Sequence, residues 1–190
     1  MWTEEAIIDY LHINLREKRL AHSISVSETA VSLAEKYGED IEKARIAGLV
    51  HDLAKDMKDE DLIKLALEHE IVIDEVCLSS PTILHGLVGS IIAREVMGIV
   101  DEDILRAVCY HTTGRKNMST LEKIIYIADY IEPLRKFQGV EEVRALCNVD
   151  LDAAVLLSLE SSIIYVIDQK QLLHTDTIDA RNCLINKHGR

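Results

Sequence analysis

AGLVHDLAK, residues 47–55, places a histidine and an aspartate at the end of a small, apolar run. With Ala44 before it, the spacing of Ala47 and Gly48 predicts a helix over 40–53 whose inward face closes on His51 and Asp52. A carboxylate on such a face is costly unless other groups pair with it. The dipeptide therefore demands partners from elsewhere in the chain. Read alone, a His-Asp pair is a weak signal, because it arises often by chance.

Working outward, four more ionisable residues share apolar stripes. His22 lies on a predicted helical face with Val26, Ala30, Leu33 and Tyr37. His85 shares a face with Val88, Gly89, Ile92 and Val96, and His111 follows Ile104 and Val108. Asp129 follows Leu121 and Ile125 at helical spacing. A single inward histidine is more often a hydrogen-bonded core residue than a ligand. The ordered set His22, His51, Asp52, His85, His111 and Asp129, inward on five helices, has no structural need behind it. Imidazole with carboxylate is the ligand set for divalent zinc, manganese, iron or cobalt, and the centre of a helical bundle is where di-metal sites are built.

The rest of the chain agrees with a bundle. Helices are predicted near 3–17, 20–37, 40–53, 59–70, 82–97, 101–111, 119–132, 141–147, 149–169 and 176–187. Gly38 suits a left-handed helix end. Ser80 and Pro81 look like an N-cap and first helical position, and Ser119 with Glu122 fits a capping box. Pro133 stops the helix before it and biases Glu132 to extended angles. Residues 71–77 read as loop or frayed helix, with a short strand as the alternative. The fold class is all-α: one domain over 1–190, with a core at about 18–135 and C-terminal helices over 141–187 completing the fold and its pocket.

Composition supports this and excludes other classes. Apolar residues make up 48% and aromatic residues 4%, so the core is aliphatic. Against 21 lysines and arginines stand 33 aspartates and glutamates, a net charge of −12. That field repels a nucleic-acid backbone, and no nucleic-acid partner is expected. The four cysteines, Cys77, Cys109, Cys147 and Cys183, form no Cys-x-x-Cys pair and read as reduced core residues. No signal peptide or membrane-spanning run is found, so a cytoplasmic chain without a membrane partner is expected. The apolar residues at 151–167 could fill the core or a homodimer contact.

In so acidic a chain the cations beside the candidate ligands stand out. Arg19 precedes His22, Lys55 follows Asp52, Arg115 lies in the Thr112–Lys116 loop after His111, and Arg135 follows Asp129. Together they point to phosphate recognition, with arginine supplying forked donors. Any one alone is better read as a solvated surface cation.

These residues resemble a known family. His22, His51-Asp52 and Asp129 match the pattern of the HD superfamily of metal-dependent phosphohydrolases. Arg19-Leu20-Ala21-His22, His51 to Lys55, His85-Gly86-Leu87-Val88-Gly89, His111-Thr112-Thr113-Gly114 and Ala128 to Arg135 are similar to its YqeK-type branch, the bacterial symmetrical diadenosine-tetraphosphate hydrolases. The resemblance runs from about residue 5 to 183.

It implies two divalent metal ions, iron first, with manganese, cobalt or zinc as alternatives. His22, His51, Asp52 and Asp129 would hold one ion. Asp52 would bridge to a second, held by His85 and His111. Asp52, His85 and His111 would be catalytic. Arg19, Lys55, Thr112, Arg115, Tyr130 and Arg135 would contact a dinucleoside polyphosphate, as would His174, Thr175 and Thr177. ADP would be the product. Another nucleotide phosphohydrolase, or a non-catalytic nucleotide-binding module, remains the alternative.

Overall fold

The computed structural model describes residues 2–188. The expected domain boundaries at 1 and 190 lie outside them. Eleven helices follow in order: α1 (Glu4–Asn14), α2 (Glu17–Tyr37), α3 (Ile41–Val50), α4 (Asp59–Glu68), α5 (Glu75–Ser79), α6 (His85–Glu95), α7 (Glu102–Tyr110), α8 (Thr120–Ile131), α9 (Val140–Cys147), α10 (Leu151–Asp168) and α11 (Thr175–His188). No strand occurs among the described residues. The all-α expectation holds.

Helix α8 is the axis of the molecule. Residues 121–128 are all buried, and α8 packs against α2, α3, α7, α9 and α10. Helix α2 lies along α3, and α6 along α7. The aliphatic core runs through these elements, with Val26, Leu49, Val50, Val108, Ile124 and Ile125 fully or nearly fully buried. Its apolar area is the main favourable term in folding.

Two glycines set how closely the helices approach. A Cβ on Gly48 would lie 2.6 Å from the Cα of Ser27, so α2 and α3 touch backbone to backbone there. A Cβ on Gly86 would lie 2.7 Å from the carbonyl oxygen of Cys109, which brings the start of α6 against the end of α7. Both contacts bring histidine-bearing segments together.

Helix ends follow their expected chemistry. Gly38 takes φ 71°, in the left-handed region. Ser119 and Glu122 form the reciprocal capping box, worth about 1 kcal/mol. Glu132 ends α8 with extended angles before Pro133. Helix α1 ends at Asn14 rather than 17, α2 starts at Glu17 rather than 20, and α3 ends at Val50 rather than 53; two further differences have a visible cause. Residues 75–79 form a short helix, because the Asp74 carboxylate accepts from the Cys77 backbone N–H. Pro81–Leu84 is a 3-10 turn, so the expected helix at 82–97 begins as α6 only at His85, and the Ser80 side chain makes no cap. The four cysteines are free. No described helix is long and apolar enough to cross a membrane.

Candidate metal centre

The six expected ligands meet at one place. His22 comes from α2, His51 and Asp52 from the turn closing α3, His85 from the first residue of α6, His111 from the residue closing α7, and Asp129 from within α8. His22, His51, Asp52, His85 and His111 are all buried.

Asp52 sits between two groups of imidazoles. Its Oδ1 lies 3.1 Å from His85 Nε2 and 3.5 Å from His111 Nε2. Its Oδ2 lies 3.5 Å from His51 Nε2 and 3.7 Å from His22 Nε2. On that second side Asp129 Oδ1 lies 2.9 Å from His22 Nε2 and 3.9 Å from His51 Nε2.

The tautomers follow from the outer partners. His51 Nδ1 is 2.7 Å from the Gly48 carbonyl, and His111 Nδ1 is 2.7 Å from the Val108 carbonyl. His85 Nδ1 meets the Thr82 carbonyl. Each carbonyl belongs to the residue three positions earlier, so the backbone of each histidine's own turn holds its ring. A carbonyl only accepts, so each Nδ1 carries the proton and each Nε2 presents a bare lone pair in the neutral ring. His22 Nδ1 lies 3.0 Å from Glu132 Oε1, giving the same polarity. A neighbouring carboxylate or carbonyl of this kind orients a ligating histidine and raises its basicity.

Bare lone pairs aimed at one another are unfavourable without a cation between them. His85 Nε2 and His111 Nε2 are 3.0 Å apart. Only the Lys55 ammonium (3.3 Å from His85 Nε2) and the Thr112 hydroxyl (3.2 Å from each) offer them donors. His22 Nε2 and His51 Nε2 are buried and have no hydrogen-bond partner. The 2.9 Å approach of Asp129 Oδ1 to His22 Nε2 forms no hydrogen bond. Nε2 nitrogens and carboxylate oxygens gathered this way fit divalent cations.

With no cation between them, the crowded groups shift one another's ionisation. Burial works against ionising Asp52, but the neighbouring imidazoles, His51 first and then His111 and His85, outweigh it and hold its carboxyl well below the usual range. Asp129 is lowered likewise, burial being outweighed by His22, His51 and Arg135. Burial also opposes charging His51, yet Asp52 and Asp129 raise it. His85 goes the other way: burial, aided by His111 and Lys55, pushes it down to about 4. Lys55 is lowered, mainly by burial.

A cavity of about 210 Å³ opens over the cluster, bordered by Arg19, Lys55, Thr112, Tyr130 and Arg135 among others. Arg19 Nη1 lies 2.6 Å from Asp52 Oδ2, and Arg135 pairs with Asp129. Arg115 does not border this cavity: its guanidinium forks onto buried Glu122. His174 borders a separate cavity of about 280 Å³ with Thr113 and Asp74. Thr175 begins α11, and Thr177 is buried with its N–H on the His174 carbonyl. Neither threonine borders the cavity over the cluster.

Sequence reasoning missed Glu132. Buried, it also accepts from the Ser25 hydroxyl and the Leu134 N–H. Its signal was present: an acidic residue just before the helix-stopping proline and three after Asp129. Tyr126 and Ser162, which also border the cavity, gave no such signal.

The comparisons with known proteins place the chain in a family. The HD domain family model matches residues 19–134, a stretch that contains all six candidate ligands. The chain belongs to the HD domain family. A relative from Halalkalibacterium halodurans named "Bis(5'-nucleosyl)-tetraphosphatase, symmetrical" is 41% identical over 90% of this chain and 91% of its own length. A relative of the same name from Bacillus subtilis is 40% identical over 90% of this chain and 92% of its own. The crystal structure of a "predicted HD superfamily hydrolase involved in NAD metabolism" from Clostridium acetobutylicum superposes with a TM-score of 0.96 at 52% identity. That match covers 98% of this chain and 99% of the other.

Proposed function

We propose that this HD domain protein is a metal-dependent phosphohydrolase that cleaves diadenosine tetraphosphate symmetrically into two ADP molecules. The observation that carries it is Asp52, one oxygen facing His85 and His111 and the other facing His22, His51 and Asp129. A carboxylate so placed suits a bridge between two divalent ions. Iron is our first choice, with manganese, cobalt or zinc as alternatives. The curated relatives carry the name of this activity over most of the chain.

Ions held there would supply Lewis acidity and lower the pKa of water. The chain's own residues do the rest. His22, His51 and Asp129 form one ligand set, and His85 and His111 the other. His85, kept neutral by burial, offers Nε2 as a ligand or a proton acceptor near neutral pH. Lys55, Arg19 and Arg135 neutralise phosphate charge as it develops. Thr112 and Tyr130 border the same space and contact the phosphate chain. Arg115 acts at one remove, because its fork on Glu122 braces the turn that carries Thr112. His174 serves a nucleoside end in the cavity it shares with Thr113, and Thr175 and Thr177 act beside it from the first turn of α11.

The test is product analysis with the metal-loaded protein. ADP as the sole nucleotide product from diadenosine tetraphosphate is expected. AMP with ATP, or no cleavage with iron, manganese or cobalt, refutes the proposal.

A further inference from the structure

Beside the metal centre runs a groove of about 710 Å³, between the start of α2 and the turn after α8. We propose that this groove, which shares no lining residue with the cavity at His174, seats the second nucleoside diphosphate half of the substrate. The inference deepens the reading above and rests on it.

Size makes a second subsite necessary. Small-molecule pockets run to roughly 300–1,000 Å³. The cavity over the metal ligands, about 210 Å³, is below that range, so it has room for phosphates but not for two nucleosides as well. The groove falls within it.

Continuity selects the groove. Arg19 and Arg135 border both the groove and the metal cavity. A phosphate chain lying across the centre therefore passes between two guanidinium groups as it enters the groove.

Charge and surface fit the ligand class. Lys18 extends the row of cations along the groove, with Arg16 beside it paired to Asp56, in a chain whose net charge is −12. Of the groove's carboxylates, Asp56 is taken by Arg16 and Glu132 by His22, Ser25 and the Leu134 N–H. Only Glu17 is left to repel an anion. Leu134 adds an apolar face, 57% exposed, beside Arg135. The aliphatic stems of Arg16 and Lys18 extend that face. Cations for phosphate beside an apolar surface for a base and ribose describe a nucleoside diphosphate site.

The experiment compares wild type with the double variant Lys18→Glu, Leu134→Ala, both metal-loaded. Both positions are exposed, so the fold tolerates the changes. The substrates are diadenosine tetraphosphate and adenosine 5'-tetraphosphate, which has the same phosphate chain but lacks the second nucleoside. We expect KM to rise at least fivefold more for the dinucleotide than for the mononucleotide, which keeps the phosphates facing Lys18 but has no second nucleoside against Leu134. An equal rise for both, or none for either, overturns the proposal.

ADP titration provides a readout independent of turnover. Wild type is expected to bind two ADP molecules per chain and the variant one. A single ADP on wild type overturns the groove. Two ADP molecules on a protein that cleaves no dinucleotide would refute the activity and keep the groove.

Discussion

Two clusters of histidine and carboxylate lie in this molecule, and they behave differently. In the central one, His22 and His51 hold their Nδ1 atoms on outer acceptors and leave buried Nε2 atoms without partners. In the peripheral one, Asp74, Cys77 and His174 also approach within 4.8 Å of one another. There every facing atom is engaged. His174 Nδ1 accepts from the Asp176 N–H, its Nε2 lies 3.1 Å from Asp74 Oδ2, and Asp74 Oδ1 caps α5. Burial and Asp74 push the Cys77 thiol up to about 12, so it stays protonated. Proximity alone does not distinguish a metal centre from a hydrogen-bonded knot. Unpartnered lone pairs converging on one space do.

The sharpest way to break this contrast is Asp52→Ala. Removing the carboxylate between the two imidazole groups should abolish metal retention and lower turnover by more than about 10²-fold, while the helical circular dichroism persists. Near-normal metal content would show that the central cluster does not need its bridge.

Next comes the pH dependence of the chelator-treated protein. His85 is held at about 4 in the folded chain, against 6.5 for a free imidazole. The fold favours its neutral form, so that stabilisation is complete above pH 6.5 and is lost as pH falls towards 4, by about 3 kcal/mol. Melting temperatures of wild type should therefore drop more steeply over that interval than those of His85→Gln. Parallel curves would mean that His85 titrates normally.

Glu132→Gln probes the outer partner that sets His22. Metal affinity should fall about 10- to 100-fold, the usual effect of losing such a support, with little change in the KM of the nucleotide. Calorimetric titration with manganese would measure it, and unchanged affinity would remove Glu132 from the centre.

The smallest effect is expected at the periphery. His174→Ala loses one half-exposed ion pair and should change stability by less than about 1 kcal/mol. Metal content by elemental analysis should match wild type. A lost metal equivalent would make the peripheral cluster a second metal site and erase the contrast.

All six candidate ligands were legible because each is an ionisable residue on an apolar helical stripe, a conflict visible in one dimension. The all-α class and the caps at Gly38 and Ser119 were legible for the same reason: their causes are local. Helix α5 was not, because it depends on a single cap at Asp74 within a sequence of mixed pattern. Arg115 read as a phosphate ligand because it follows His111, yet its partner Glu122 is seven residues away across a turn. Glu132 lacked a role until α2 brought His22 and Ser25 against it, 110 and 107 residues earlier in the chain.

By itself the sequence determined which residues must be buried together and what they could bind, because helical periodicity and desolvation act through near neighbours. Only the tertiary structure decided which oxygen of Asp52 faces which imidazoles, which ring nitrogen stays bare, and where the cations at the mouth point. Those depend on helices approaching to backbone contact at Gly48 and Gly86 and on α2 meeting the end of α8 about 110 residues away, and such contacts leave no periodic mark in the chain.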